Sequence, residues 1–546
     1  MKRVIRGFRA DFKWQYWLLV LALVVILSLH IIAQSSHSPY RFLIYIQDFL
    51  PEAIAAAVSA VITNYINDFN NKSLKMVPHV IYPLFSGALL FFAILFFSGV
   101  FSTVEIVISG MGDGQFAENE IQRINDELAE SNKNLRISLG MNYCRIAGQT
   151  GNGCPPVNVN TVYSLLTAQI ESGENNSDIY ELDVIWIPYF VKKGWIIPLD
   201  QYRNKAKIRY TFGVEQETGR FVYKKGRSTP YRRTFIVPSF LNVGFLMYRV
   251  DLFHRLIGKD REPSSWDELI EWLYEVKEKY GDEYDGFVFQ GARYEGLMCN
   301  YMEILWANGG EIVEEDGVPR VNTPEAVRAL EFFGRLLRDG IIPGEVLDYN
   351  EAKSLQHFAR GKTLVLRHWP RAFYNIQHYR KYRHLRNKVN VMSGPLPFKG
   401  VARASAKMTL GGWSYAVSRH AYDSGRAKPA MEVIEYLTSE KQFNEALYPQ
   451  FPGEGETSVR IPAHKLVIEN AKGENDALDY AYTYLKNHYY RARPKFPYYA
   501  VFSEILVRHI HQYLKDGGTT AEEALQNAQE ELNRTIPGLE IGRNPS

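Results

Sequence analysis

Alternation between apolar runs and amphipathic periods divides the 546-residue chain at about residue 102. Before that point lie long stretches without charge. "WQYWLLVLALVVILSLHIIA" (14–33) and the run at 80–101 are each about 20 residues, enough to span a bilayer core. A weaker stretch at about 43–66 is interrupted by Asp48, Pro51 and Glu52 and reads either as an amphipathic helix or as a third span. Basic residues before Trp14 place the amino terminus in the cytoplasm, and Lys72 and Lys75 after the middle stretch favour three spans. With three, everything after residue 102 emerges outside.

After residue 102 the pattern changes to short β-branched runs alternating with helical periods. "TVEIVISGM" (103–111) predicts a buried strand, the Ile121, Ile124 and Leu128 spacing a helix, and "LRISLGMN" a second strand. The helix "NTVYSLLTAQIESG" and the strand "YELDVIWIPYF" repeat the unit. Such alternation predicts a mainly parallel sheet covered by helices, with ligands at the carboxyl ends of its strands. Further on, "RRTFIVPSFLNVGFLMYRVDLF" gives two strands around Asn242-Val243-Gly244, and "PSSWDELIEWLYEVKEKYG" a helix capped by Ser264 or Ser265. The last third reads as mostly helical.

Composition narrows the function. A hydrophobic content of 46% suffices for sizeable cores, so disorder is excluded over most of the length. The formal charge is +3, but residues 1–102 carry eight Lys and Arg against four Asp and Glu, leaving the remainder near −1. Nucleic acid is therefore not an expected partner. The glycines of "GMGDG" (110–114) lack the dinucleotide spacing and the phosphate-binding lysine. Cys144 and Cys154 can pair if they face an oxidising compartment; Cys299 reads as a buried thiol, and no metal or cofactor is expected.

Several segments in order resemble the family 1 extracellular solute-binding proteins of ABC sugar importers, nearest the maltose and trehalose type. They are "DVIWIPYFVKKGWIIPLDQY", "IVPSFLNVGFLMYRVDLF", "GARYEGLMCNYMEILWANGGEIVEEDG", "ARGKTLVLRHWPRAF", "GPLPFKG" and "TLGGWSYAVSRHA". The resemblance implies a two-lobed α/β periplasmic-binding-protein-like fold over 103–546; the helical membrane anchor over 1–102 that precedes it is read from the apolar runs alone. One lobe is expected over about 103–245 and 396–455, the other over about 246–395 and 456–546, with hinges near Gly244 to Tyr248 and Gly394 to Phe398. It further implies reversible binding of a di- or oligosaccharide, hinge closure, and permease subunits as membrane partners, or a membrane partner that reads the closure as a signal.

A sugar presents an apolar C–H face and a hydroxyl edge, so its site needs aromatic platforms and paired hydrogen-bonding groups. By position the platforms are Trp186 and Trp413 in the first lobe and Tyr294 and Trp369 in the second. Asn242, Glu295 and Arg371 are the hydroxyl partners, and Gly412 allows close backbone approach. Tyr189 stands where relatives often carry an acid, and Asp113 is a candidate to replace it. No facing acidic pair suggests glycoside hydrolysis, so an enzyme is not expected.

Overall fold

A computed structural model describes residues 103–110, 114–130, 134–140, 159–202, 218–223, 231–313, 318–447, 461–473 and 476–536. The three apolar stretches at 14–33, 43–66 and 80–101, with Asp48 and Glu52, lie outside the described residues, as do Asp113, Cys144 and Cys154. Among the described residues no helix is long and apolar enough to cross a membrane.

Strands in chain order are β1 (Val104–Ser109), β2 (Leu135–Leu139), β3 (Ile179–Asp183), β4 (Arg220–Tyr223), β5 (Tyr231–Thr234), β6 (Val237–Val243) and β7 (Phe245–Arg249). There follow β8 (Asp285–Val288), β9 (Thr363–His368), β10 (Val389–Val391), β11 (Met408–Val417), β12 (Ile461–Pro462) and β13 (Tyr490–Ala492). They form a seven-stranded sheet ordered β12-β6-β11-β3-β1-β2, with β13 also on β11, a four-stranded sheet ordered β10-β7-β9-β8, and the hairpin β4-β5. The residues flanking the strands supply helices whose caps follow from sequence. Ser265 accepts from the Glu268 amide at 3.2 Å to start Trp266–Tyr280, and Asn350 accepts from the Lys353 amide at 3.0 Å to start Glu351–Phe358.

The expected mainly parallel sheet is corrected to a mixed one. β1, β2 and β3 are mutually parallel, but the long β11 runs antiparallel between β3 and β6. The cause is chain return: β11 comes back from the second sheet and enters the first from its opposite end. A second correction concerns 456–546, expected wholly in the second lobe. β12 and β13 pair with β6 and β11 of the first sheet, and Ile461 and Tyr490 are buried there. The helices Asp476–Lys486, Tyr499–Asp516 and Ala521–Thr535 pack instead on helices of the second sheet, Pro370–His378, Glu295–Ala307 and Pro324–Arg338 respectively.

The chain first crosses between the sheets at Gly244, which separates β6 from β7. Beside it Arg367 of β9 forms a buried ion pair with Glu303, donating from Nε at 2.9 Å and also bonding through Nη2. Thr409 of β11 closes the group: its amide donates to Glu303 at 2.9 Å and its hydroxyl accepts from Arg367 at 2.7 Å. A Cβ at position 244 would sit 2.5 Å from the Glu303 carboxylate and 2.6 Å from the guanidinium. Glycine there lets a strand pass a buried charge cluster that joins both sheets.

Candidate functional site

A cleft of about 340 Å³ lies between the two sheets. From the first sheet come Asp183 at the carboxyl end of β3, Asn242 on β6, and Gly412 and Trp413 on β11. From the second come Tyr294 and Glu295 at the start of the helix Glu295–Ala307, Glu351, His368 and Trp369 at the end of β9, and Arg371. Arg493, just after β13, completes the wall. The strand ends position the site, as open α/β sheets dictate.

Trp413 is half-buried and stands beside an irregularity in the neighbouring strand: it pairs with Phe240 while Ser414 pairs with Pro238, leaving Ser239 of β6 as the extra residue. Gly412 precedes it with φ +131°, and a Cβ there would lie 2.4 Å from the Phe240 carbonyl. Neither the backbone angle nor the space admits a side chain. Trp186 lies behind Trp413, with ring centroids 5.1 Å apart at 82°, and is 1% exposed.

Trp369 faces the cleft from the other sheet, at the N-cap of the helix Pro370–His378, with Pro370 in its first turn. The Arg367 guanidinium sits 4.1 Å from the centre of its ring. Its indole Nε1 donates to Glu351 at 3.4 Å, and the Tyr294 hydroxyl donates to the other Glu351 oxygen at 2.8 Å. One carboxylate thus organises two aromatic walls. His368 sits behind them, its Nδ1 accepting from the Trp369 amide at 2.8 Å and its Nε2 facing the Glu351 carbonyl at 2.9 Å.

At the base, Arg493 joins Glu295 at 2.8 Å and Asp183 at 3.3 Å. Glu295 also accepts from the Tyr499 hydroxyl at 2.8 Å and from Ser503. Burial raises the Asp183 carboxyl above its usual range, partly opposed by Arg493. Burial also works against the Arg493 charge, while anions around it, Asp183 and Glu295 among them, hold it protonated. Burial pushes the Cys299 thiol, which lines the same wall, up to about 12.

Of the residues singled out by sequence, Asn242, Tyr294, Glu295, Trp369, Arg371, Gly412 and Trp413 line this cleft. Trp186 and Tyr189 do not. The expected strand through "DVIWIPYF" stops at Asp183, whose carboxylate takes the Ile185 amide at 3.1 Å, and Pro188 opens the helix Ile187–Lys193. Trp186 is thereby turned into the core as a support for Trp413, and Tyr189 packs against Tyr163 and Trp195. Asp113 lies outside the described residues.

Asp183, Glu351, His368 and Arg493 were missed. Asp183 and His368 stand inside "DVIW" and "LRHWP", where the neighbouring Trp drew the reading. Arg493, in "RARP", follows the short strand β13 inside a stretch whose pattern predicts helix. Among the described residues no group of three or more His, Cys, Asp or Glu is placed to hold a metal ion. The arrangement offers opposed aromatic faces, carboxylates and guanidinium donors around a space of sugar size.

Residues 155–442, just over half of the chain, match the family model described as bacterial extracellular solute-binding protein. A probable ABC transporter-binding protein of Deinococcus radiodurans is 28% identical over 304 residues, 54% of this chain and 67% of that one. Among solved structures, maltose-bound MalE3 of T. maritima is similar at TM-score 0.60 and 26% identity, covering 78% of this chain and 98% of the other. A ribitol complex of an ABC transporter solute-binding protein from Agrobacterium radiobacter K84 reaches TM-score 0.61 over 80% of this chain and 99% of that one. At 20% identity it shows the shared two-lobed fold alone.

Proposed function

Because the chain belongs to the bacterial extracellular solute-binding proteins, we propose that its cleft binds a di- or oligosaccharide, an α-glucoside such as trehalose or maltose. The bound sugar is delivered to the permease subunits of an ABC importer, and residues 1–102 anchor the receptor in the same membrane. The observation that carries the reading is the pair of half-buried tryptophans, Trp369 and Trp413, facing one cleft from two different sheets. Each offers a ring to an apolar sugar face, while Asn242, Arg371 and Glu351 offer donors and acceptors to its hydroxyls. The maltose in the T. maritima relative supports the choice of ligand class.

A second reading, ligand sensing through a membrane partner, is favoured by one observation. β1 starts at Val104, within a few residues of the proposed last span at 80–101, and its other end, at Gly110, lines the cleft. Six strand residues separate the two ends, a rise of roughly 20 Å. The start of β1 thus lies at the end of that strand away from the cleft. A closing movement of the second sheet in that setting is well placed to report to a neighbour.

The deciding experiment is thermal unfolding of the full-length protein against mono-, di- and trisaccharides. A ligand at about 100 times its dissociation constant adds roughly 2.7 kcal/mol to the folded state. A shift with an α-linked disaccharide supports the sugar reading; no shift with any sugar, in a folded sample, removes it. Gene deletion then separates the two roles, because an importer's receptor is required for uptake of the sugar and a sensor is not.

A further inference from the structure

We infer that His368 is a positioning residue: in its neutral form it holds Trp369 and Glu351 in the geometry that the ligand meets, and protonation releases that hold. The inference rests on the sugar-site reading of the cleft.

His368 is the last residue of β9, 5% exposed, and lines the cleft. A backbone amide only donates and a carbonyl only accepts. Nδ1, 2.8 Å from the Trp369 amide, must therefore be unprotonated, and Nε2, 2.9 Å from the Glu351 carbonyl, must carry the proton. One tautomer satisfies both contacts. Each ring nitrogen then fixes one wall element: the backbone of Trp369, and the first turn of the helix Glu351–Phe358. The Glu351 side chain in turn bonds the Tyr294 hydroxyl and the Trp369 indole. Two aromatic walls and a carboxylate thus hang on one imidazole.

The imidazolium has two donors and no acceptor. Its Nδ1–H would be aimed at the Trp369 N–H, donor against donor, so the Trp369 peptide and ring must move. Charged groups face this imidazole from each surrounding element. Arg367 adjoins it on β9, with its charge countered by Glu303 of the helix Glu295–Ala307. Glu351 comes from the neighbouring helix, which also carries His357 paired with Asp285 of β8. Arg371 comes from the helix Pro370–His378, and Asp183, Glu295 and Arg493 stand on the other walls of the cleft. Burial, joined by Arg367, outweighs Glu351 and holds the imidazole below its ordinary range. Binding that requires the neutral ring is therefore undiminished through the ordinary histidine range and is lost only as pH falls further, through the lowered value that burial imposes.

The test uses the full-length protein in detergent with maltose as probe, titrated from pH ~7 to pH ~3, because burial places protonation below the ordinary imidazole range. A second readout is the fluorescence of Trp369 without ligand, taken as the difference between wild type and Trp369→Phe. In the wild type, maltose affinity should fall by about tenfold per pH unit once the ring protonates, with the Trp369 signal stepping at a matching midpoint. His368→Asn, whose Oδ1 can accept from the Trp369 amide and which cannot charge, should bind with an affinity that no longer varies with pH. His368→Leu should bind weakly at every pH. The same pH profile in wild type and His368→Asn, or unimpaired binding by His368→Leu, would overturn the inference. If maltose binds to none of them, the sugar reading fails for this probe and the ligand-free signal still decides. A Trp369 step present in the wild type and absent in His368→Asn supports the positioning role, and identical traces refute it.

Discussion

Trp186 lies edge-on beneath Trp413, the two ring centroids 5.1 Å apart at 82°. The fully buried member supports the half-buried one, so substitutions at the two positions should separate stability from binding. Trp186→Ala removes a side chain that is 1% exposed and should cost about 3–5 kcal/mol in denaturant unfolding. Trp413→Ala, at a half-buried surface of the cleft, should cost well under half of that while removing most of the affinity for an α-linked disaccharide. Calorimetric titration and urea unfolding of both variants check the pair. Equal stability losses would show that Trp413 is core rather than platform.

Gly244→Ala should destabilise the protein through charge rather than through backbone angle. The new methyl would meet Glu303 at 2.5 Å and Arg367 at 2.6 Å, both held in a buried pair. Separating such a pair costs roughly 3–5 kcal/mol. Gly344→Ala, where an added Cβ meets nothing within 4 Å, is the control and should leave the unfolding midpoint nearly unchanged. Matching losses in the two variants would show that the crowding at the sheet crossing relaxes freely.

Short β-branched runs mark β1, β2, β6 and β7, and the 3.6 period marks helices such as Trp266–Tyr280, because each of these segments buries apolar side chains. Pairing partners were not legible. Nothing local in "TLGGWSYAV" tells that this strand enters antiparallel between β3 and β6, since that depends on where the chain crosses from the other sheet. In the site, the aromatics and glycines of short motifs were readable because their chemistry is unusual for a strand end. Asp183, Glu351 and Arg493 were not, because a lone charged residue looks the same in sequence whether it is solvated or locked in a buried cluster. Trp186 shows the converse: an aromatic in a promising motif was turned into the core by the Asp183 turn and Pro188.

Glu127 ties the helix Gly114–Glu130 to two others, accepting from Lys441 of Glu440–Leu447 at 2.8 Å and from Tyr436 of Ala427–Leu437, beside Arg123. Burial raises its pKa, but Lys441, Tyr436 and Arg123 together outweigh that and lower it from 4.5 to about 2. A depressed carboxylate contributes stability above its unfolded value and loses it as pH falls through the folded one. The wild type should therefore lose stability relative to Glu127→Gln as pH drops from about 4.5 to about 2. Thermal unfolding of both proteins across that window gives the difference directly; parallel curves would mean that the carboxylate gains nothing from its partners.

Arg493 carries the cluster at the cleft base, and removing it should be costlier than removing its partners with it. Arg493→Met leaves Asp183 and Glu295 buried without their cation, a loss of about 3–5 kcal/mol near neutral pH. Adding Asp183→Asn and Glu295→Gln to Arg493→Met removes the stranded charges and should restore part of it, because polar neutral groups can still bond Tyr499 and Ser503. The pH dependence follows from Asp183, whose carboxyl is raised by burial even with the arginine present. A raised acid contributes most below its ordinary value of 3.8 and loses that contribution as pH rises through the folded one. Without the arginine the carboxyl rises further, so Arg493→Met should become more stable relative to wild type as pH is lowered from ~7 to ~5. Denaturant midpoints at those two pH values check the sign. A gap between wild type and variant that stays constant would mean that the two carboxylates find water or other donors once Arg493 is gone, and that the cluster is not a closed buried unit.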